Sequence, residues 1–404
     1  MTFEDCLNSL FSARGKSSLR EVKNTALKMK LLPLKFKAVH IAGTNGKGTV
    51  AGLLADILCK SGFKTGLFTS PHLKSPLERI KADGADIDKT SFVKAVASVR
   101  ENQTAELNFF EVLTLAAICY FTEKKVDFAV FECGIGGLLD STNIITPELS
   151  VITSAALDHC SMLGASVEEI AVQKSGIIKP GVPVLCGLLP TEAYKIAAST
   201  AERLKSVCVK VEKIKNLTQD FYNLKSRFDF ENHSFLTSLI GEAQNQNAAL
   251  AVKAALILGI DIKTCQKACA CFTMPCRFEV AKLKNGKYFI KDGAHNPAAF
   301  KELIKTYKQS PFCGPGDTLV LAASKGHDYK TLCALAERNF KNIILACPDK
   351  ERNIAPEILL NCFKKNVKIS VLRDISAFNP NDCGGCVLAA GSFYLAAALN
   401  AGRD

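Results

Sequence analysis

At 404 residues the chain exceeds the length at which a single hydrophobic core stops growing, so two domains are expected. With 48% hydrophobic and 22% charged residues it lacks the composition of a disordered chain, and no apolar run approaches the roughly 18 residues of a membrane span. The formal charge of +12 suits anionic ligands, but the lysines and arginines are dispersed, without aromatic interleaving or a nucleic-acid module. Neither a nucleic acid nor a membrane is therefore expected as a partner.

The amino terminus carries Glu4 and Asp5 and has no basic stretch followed by an apolar core, so it does not read as a secretory signal and the cytoplasm is the expected compartment. Seventeen cysteines without a spaced framework read as reduced thiols. The CGGC at 383 to 386 has no second CxxC and no nearby histidine, which favours a turn before the last strand over a zinc or redox site.

Taken in chain order, short runs rich in Val, Ile and Phe alternate with longer amphipathic stretches: AVHIAG, TGLFTS, DFAVFECG, LSVITSAAL and VPVLCG. That rhythm predicts a mostly parallel sheet flanked by helices. The run QNQNAALAVKAALILGI, residues 244 to 260, predicts an Ala-rich helix stopped near Gly259, and CQKACACF a further helical piece. Pro275 breaks the pattern, and the strand and helix rhythm restarts with KYFIKDG, TLVLAAS, NIILACP, KISVL and CVLAAG. The expected domains are 1–276 and, smaller and Rossmann-like, 277–404.

The first strand leads into IAGTNGKGTV, residues 41 to 50. Gly43, Gly46 and Gly48 let the backbone turn tightly and approach an anion, Lys47 supplies a point charge, and Thr49 a hydroxyl for a phosphate-bound Mg²⁺. Gly48 follows Lys47, so the hydroxyl comes one place later than in the general GxxxxGK[ST] pattern. In open parallel sheets ligands bind beyond the carboxyl ends of the strands, and Gly43, Ser70, Glu132 and Asp158 or His159 all fall there. An acidic side chain such as Glu132, leaving an apolar strand, must find a cation or water, and carboxylate oxygen suits Mg²⁺. A buried ion pair with Lys or Arg is the alternative reading.

GTNGKGT resembles the phosphate loop of the ATP-dependent Mur ligase superfamily, and with His40 ahead of it the folate branch, the dihydrofolate and folylpolyglutamate synthases. Later motifs follow that family's order: TSPHL with ERI, FECGIGGLLDSTN, LDH, QKSGI, TMPCRFE, IKDGAHNP, ASKGHD and AAGSFY. The resemblance implies a P-loop ATPase domain with a mostly parallel sheet and a smaller α/β domain. It implies ATP-dependent joining of L-glutamate to a pteroate or folate carboxylate through an acyl phosphate. ATP would contact Thr44, Asn45, Gly46, Lys47, Gly48, Thr49, Asn247, Arg277, Asp292 and His295. Ser70, Glu132, His159 and Thr49 would hold Mg²⁺, with Mn²⁺ as an alternative because imidazole is a less usual Mg²⁺ ligand.

By the same resemblance, Lys174 is carbamylated, which needs an uncharged amine; an unmodified ion pair is the alternative. Asn247 recognises adenine, or else caps its helix. Lys47, His159, Lys174, Arg277 and His295 are the catalytic candidates, and Asp292 and His295 match residues that approach the nucleotide when the two domains close. Asp140, Lys325, Asp328 and Ser392 are weaker candidates for substrate contact. Three positions depart from the family pattern: Leu138 for arginine, Gln173 for glutamate and Cys276 for glycine. The expected protein is a monomer whose partners are ATP, L-glutamate and dihydropteroate or a reduced folate. With 42 residues ahead of Gly43, the sugar-binding domain of the peptidoglycan-precursor ligases is not expected. Another amide ligase of the superfamily, or a nucleotide-binding module without ligase activity, are the other readings.

Overall fold

The computed structural model describes residues 2–12, 15, 17–364 and 367–399. The chain divides into two compact units, one of residues 1–157, 163–213 and 246–270, the other of residues 158–162, 214–245 and 271–404.

The first unit is built on an eight-stranded sheet. Its strands are β1 (Lys37–Ala42), β2 (Thr65–Phe68), β3 (Ile80–Ala82), β4 (Ala85–Asp86), β5 (Phe128–Glu132), β6 (Leu149–Ile152), β7 (Val184–Cys186) and β8 (Cys208–Lys210). They lie in the order β4-β3-β2-β5-β1-β6-β7-β8. All neighbours from β2 to β8 are parallel, and β3 and β4 add an antiparallel edge. The central strands β1, β2, β5 and β6 are buried on both faces apart from Lys37, which is why they read as continuous apolar runs. Because β2, β5, β1 and β6 are adjacent and parallel, the residues at or just beyond their ends, Ser70, Glu132, Gly43 and Thr153, emerge along one edge.

The second unit contains an antiparallel meander of β9 (Lys215–Asp220), β10 (Lys225–Phe230) and β11 (His233–Thr237). Its main sheet has six strands: β12 (Glu279–Lys282), β13 (Tyr288–Lys291), β14 (Thr318–Leu321), β15 (Asn342–Ala346), β16 (Lys368–Leu372) and β17 (Val387–Ala390). The order is β12-β13-β17-β14-β15-β16, parallel except for β12. Adjacent β13, β17 and β14 bring the segments at Asp292, Gly391 and Ala322 side by side; Gly391, at φ +95°, leaves no room for a Cβ, which would sit 1.9 Å from the Ala322 carbonyl oxygen.

All seventeen cysteines are free thiols. The CGGC segment is a bend leading into β17, as its glycines suggest. Among the described residues no helix is long and apolar enough to cross a membrane.

Candidate active site

The phosphate-loop turn closes on Gly46, whose left-handed φ of +86° precedes the helix Lys47–Lys60. No side chain caps that helix, so its first backbone N–H groups are oriented for an anion. Lys47 Nζ donates to the carbonyls of Gly43 at 3.0 Å and Thr44 at 3.3 Å, holding the loop around its own charge.

The segment after β6 braces this loop. Asn45 N donates to Ser154 Oγ at 2.8 Å, Thr153 Oγ1 donates to the Asn45 carbonyl at 2.7 Å, and Thr44 Oγ1 donates to the Ala156 carbonyl at 3.1 Å. Thr153 and Ser154 were not singled out from the sequence; the available signal was two hydroxyl residues immediately beyond a strand that neighbours β1. A Cβ on Gly43 would sit 1.9 Å from Thr153 Oγ1, and one on Gly46 2.4 Å from Asn247 Oδ1. Asn247 thus packs against the phosphate loop. It does not cap its helix, which starts five residues earlier, at Glu242.

Glu132 ends β5 and is 3% exposed. Its Oε2 accepts a hydrogen bond from Ser70 N at 3.0 Å, which fixes the Ser-Pro turn beside the carboxylate. Beyond it, Glu78 accepts from the backbone N–H groups of Leu73, Lys74 and Ser75, and Arg79 Nε donates to His72 Nδ1 at 2.9 Å. Thr49 is fully buried in the first turn of the phosphate-loop helix, and Lys174, 2% exposed, lies near the end of the helix Val167–Ser175.

Two of the sequence departures are neighbours: Leu138 N donates to the Gln173 carbonyl at 2.7 Å. Asp140 is committed to its own loop, since Oδ1 accepts from Thr142 N at 3.0 Å and Thr142 Oγ1 at 2.5 Å, and Oδ2 from Ile135 N at 3.0 Å. Burial pushes its pKa up against these hydrogen bonds.

His40 Nε2 donates to Thr142 Oγ1 at 2.8 Å, whose own proton goes to Asp140, and lies 3.1 Å from Cys133 Sγ, while its fully buried Nδ1 has no partner. Burial, then the positive charge of Lys179, lower its pKa from 6.5 to about 3. The sign follows from linkage. A folded-state pKa below the unfolded value contributes stability that is complete above pH 6.5 and lost as pH falls toward 3, on the order of 5 kcal/mol in all. The melting temperature of a His40→Gln variant should therefore fall less steeply than that of the parent between pH 6.5 and 5, measured by circular dichroism; equal slopes would refute this assignment.

In the second unit, Arg277 stacks its guanidinium 4.5 Å from the Phe393 ring centroid, and its buried Nε has no hydrogen-bond partner. Cys276 and Phe278 on either side have φ of +55° and +46°, so the position where the family pattern has glycine keeps a backbone conformation that favours glycine. Asp292 ties this linker to β13: its carboxylate accepts from Phe278 N and Ala294 N, both at 2.8 Å. Burial raises the Asp292 pKa, and the Arg277 charge opposes that.

His295 Nδ1 donates to the Gly293 carbonyl at 2.8 Å, and burial, then the charge of His327, lower its pKa to about 3, so the ring is neutral at physiological pH. Ser392 is fully buried, caps the turn at Tyr394 N at 3.2 Å and accepts from Asn353 Nδ2 at 3.1 Å. Asp328 caps the helix Tyr329–Asn339, and Lys325 Nζ reaches the Lys350 carbonyl at 3.1 Å. His159, at φ +49°, lies beside Asp158 and His327.

A profile described as the Mur ligase middle domain matches residues 41–255, more than half of the chain. The chain belongs to the Mur ligase family. Among this Mur ligase's relatives, the folylpolyglutamate synthase of Lacticaseibacillus casei is 31% identical over 382 residues, covering 89% of this chain and 88% of that protein. The dihydrofolate synthase/folylpolyglutamate synthase of Bacillus subtilis (strain 168) is 33% identical over 324 residues, 74% of this chain and 73% of that protein. The Mycobacterium tuberculosis folylpolyglutamate synthase solved with ADP and AMPPCP superposes with a TM-score of 0.87 at 25% identity, covering 98% of both chains. E. coli FolC in complex with DHPP and ADP gives a TM-score of 0.85 at 26% identity, over 98% of this chain and 96% of that one. These matches place the chain in the folate branch and fix its fold as a large, mostly parallel sheet domain with a smaller carboxyl-terminal domain.

Proposed function

We propose that this chain is an ATP-dependent ligase that joins the amine of L-glutamate to a carboxylate of a pteroate or folate, as a dihydrofolate synthase, a folylpolyglutamate synthase or both. The observation that carries the reading is the phosphate loop, braced by Thr153 and Ser154 and set beside Glu132 on one edge of the sheet. Relatives named for this activity align over nearly the whole chain.

In the first step an acceptor carboxylate oxygen attacks the γ-phosphorus of ATP and the bond to the β,γ-bridging oxygen breaks, giving an acyl phosphate and ADP. In the second, the glutamate amine attacks the acyl carbon, phosphate leaves and an amide remains. Lys47 exchanges its carbonyl partners for phosphate oxygens, and the N–H groups at the start of the helix Lys47–Lys60 receive the remaining charge. Arg277, with an unpartnered buried Nε, is the proposed anion-binding residue of the linker. Asn45, Gly46 and Gly48 line the loop, and Asn247 packs on it as the proposed purine-side contact.

The oxygen donors of Thr49, Ser70 and Glu132 have the chemistry Mg²⁺ requires, and the Glu132 carboxylate is buried at the strand end with one oxygen held by Ser70 N. Bound there, Mg²⁺ would supply charge neutralisation on the phosphates. Carbamylation of the buried Lys174 would add an anionic group to the same unit.

Phosphate release by the purified protein with ATP, Mg²⁺ and glutamate tests the reading. Release that depends on both glutamate and dihydropteroate is dihydrofolate synthase activity; release with tetrahydrofolate is tail elongation. Release with neither acceptor, by a folded protein that binds ATP, would remove the folate assignment.

A further inference from the structure

Two thiols that the ligase reading does not use meet at one edge of the eight-stranded sheet. Cys186 ends β7, and Cys208 begins β8, the edge strand beside it. In their parallel register Val184 lies opposite Cys208 and Cys186 opposite Lys210, so both cysteines project from the same face, and their sulfurs are 3.9 Å apart. Cys186 is fully buried among apolar side chains that include Ile152 and Ala197, whereas Cys208 is half-buried and within reach of a small solute.

The surroundings make the two sulfurs unequal. The Cys186 thiol and the Tyr194 hydroxyl both donate to the Cys208 sulfur, and Lys210 Nζ covers the Tyr194 ring at 5.1 Å from its centroid. The hydrogen bond from Cys186, helped by that from Tyr194, lowers the Cys208 pKa to about 7 against the effect of burial. Donating that bond, and burial, push the Cys186 thiol far up. Cys208 is therefore the thiolate and the nucleophile, and Cys186 the neutral thiol held against it. A partly accessible thiolate beside a second sulfur is the arrangement that oxidants attack selectively, the neighbour resolving the first oxidation product.

We propose that Cys208 and Cys186 form a site of reversible oxidation, at which a peroxide converts the two thiols to an intramolecular disulfide. The Cys208 thiolate attacks one oxygen of hydrogen peroxide. An S–O bond forms, the O–O bond breaks, and the departing hydroxide takes up the proton that Cys208 had released, leaving water and a Cys208 sulfenic acid. The Cys186 sulfur then attacks the Cys208 sulfur: the S–S bond forms, the S–O bond breaks, and the hydroxyl leaves with the Cys186 proton as a second water. Two thiols lose two electrons and two protons, and one peroxide becomes two waters. The sulfurs must close from 3.9 Å to a bonded distance of about 2.05 Å. β8 is three residues long and lies at the sheet edge, so it is the strand that moves. The chemistry needs neither nucleotide nor acceptor and stands or falls independently of the ligase reading.

The test is treatment of the reduced full-length protein with hydrogen peroxide at neutral pH, alkylation of the remaining thiols with N-ethylmaleimide, and tryptic mapping by mass spectrometry. The wild type is expected to yield residues 175–195 joined to residues 206–210, two hydrogens lighter than the separate peptides, and to lose that species on reduction with dithiothreitol. Cys186→Ser should stop, more slowly, at the Cys208 sulfenic acid, trapped with dimedone. Cys208→Ser should give no linked peptide and leave Cys186 a thiol. The second change is at a half-buried position, so the test survives if Cys186→Ser does not fold, which a thermal melt reports.

Wild-type protein in which Cys186 and Cys208 both remain alkylatable, at a peroxide dose that consumes the exposed thiols of Cys160, Cys271 and Cys313, would overturn the proposal. So would a disulfide mapped to another pair with these two left as thiols, or a Cys208 carried to sulfinic acid beside an unreacted Cys186. A linked peptide found only in a covalent dimer would overturn it as well, by placing the bond between molecules.

Discussion

Replacing Lys47 with alanine is expected to lower ATP- and glutamate-dependent phosphate release by about 10²- to 10³-fold while leaving the protein folded. The Lys47 ammonium is the only side-chain charge in the turn from Gly43 to Thr49. Its hydrogen bonds run to the carbonyls of Gly43 and Thr44, within the loop it serves, so removing it breaks no contact between elements of the sheet. The loop itself is held by other bonds, from Asn45 to Ser154 and from Thr153 to Asn45. Stability should therefore change by no more than about 1 kcal/mol, whereas charge developing on the transferred phosphoryl group loses its nearest cation.

Lys47→Arg should fail nearly as badly, because a planar fork does not reproduce a compact ammonium between two carbonyls. Steady-state phosphate release with saturating acceptor, alongside a thermal melt, checks both halves. A Lys47→Ala protein with the parent's rate would remove the phosphate-loop mechanism.

How far the sequence carried this reading depended on the type of signal. Strands buried on both faces, such as Phe128–Glu132 and Thr318–Leu321, are unbroken apolar runs and are legible without any tertiary information. The meander of β9 to β11 is not: Lys215–Asp220 is polar apart from the half-buried Leu217, and its partners rather than its own pattern make it a strand. The Ala-rich helix was visible, but its start was not. Gly241, at φ +98°, ends the preceding turn, and Glu242 begins the helix ahead of the first Asn-rich turn, so Asn247 lies a full turn inside.

Within the candidate site, residues in glycine-rich motifs were legible because few other sequences fit so tight a turn. The residues that position them were not. Thr153 and Ser154 act on a loop more than a hundred residues earlier, and Asp158 meets His327 across 169 positions of chain. The pairing of Thr153 and Ser154 with the phosphate loop comes from strand order, β1 next to β6, and strand order is not written in local composition.

The second large effect is expected at Arg277. Its guanidinium carbon lies over the Phe393 ring, and its Nε is buried without an acceptor, a state that costs about 1 to 3 kcal/mol unless an anion completes it. Arg277→Ala should lower kcat/KM for ATP by about 10²- to 10³-fold. Part of that loss could be structural, because Arg277 also opposes the burial that raises the Asp292 pKa, and ionised Asp292 holds Phe278 N and Ala294 N.

The two contributions separate with Arg277→Lys. Lysine keeps a positive charge beside Asp292 but loses the planar stack and the fork. If Arg277 acts on phosphate, the lysine variant should melt like the parent while recovering only a small share of the lost kcat/KM. In Arg277→Ala the Asp292 pKa rises further above its unfolded value, so the folded state holds this proton more tightly than the unfolded one, and the destabilisation from ionised, buried Asp292 at neutral pH is relieved as pH falls through the folded pKa. The melting temperature of the alanine variant, compared with the parent and with Arg277→Lys, should thus show its largest deficit near neutral pH and recover part of it on acidification. Full activity in Arg277→Lys would assign the residue a generic charge, and parental activity in Arg277→Ala would exclude it from the phosphate chemistry altogether.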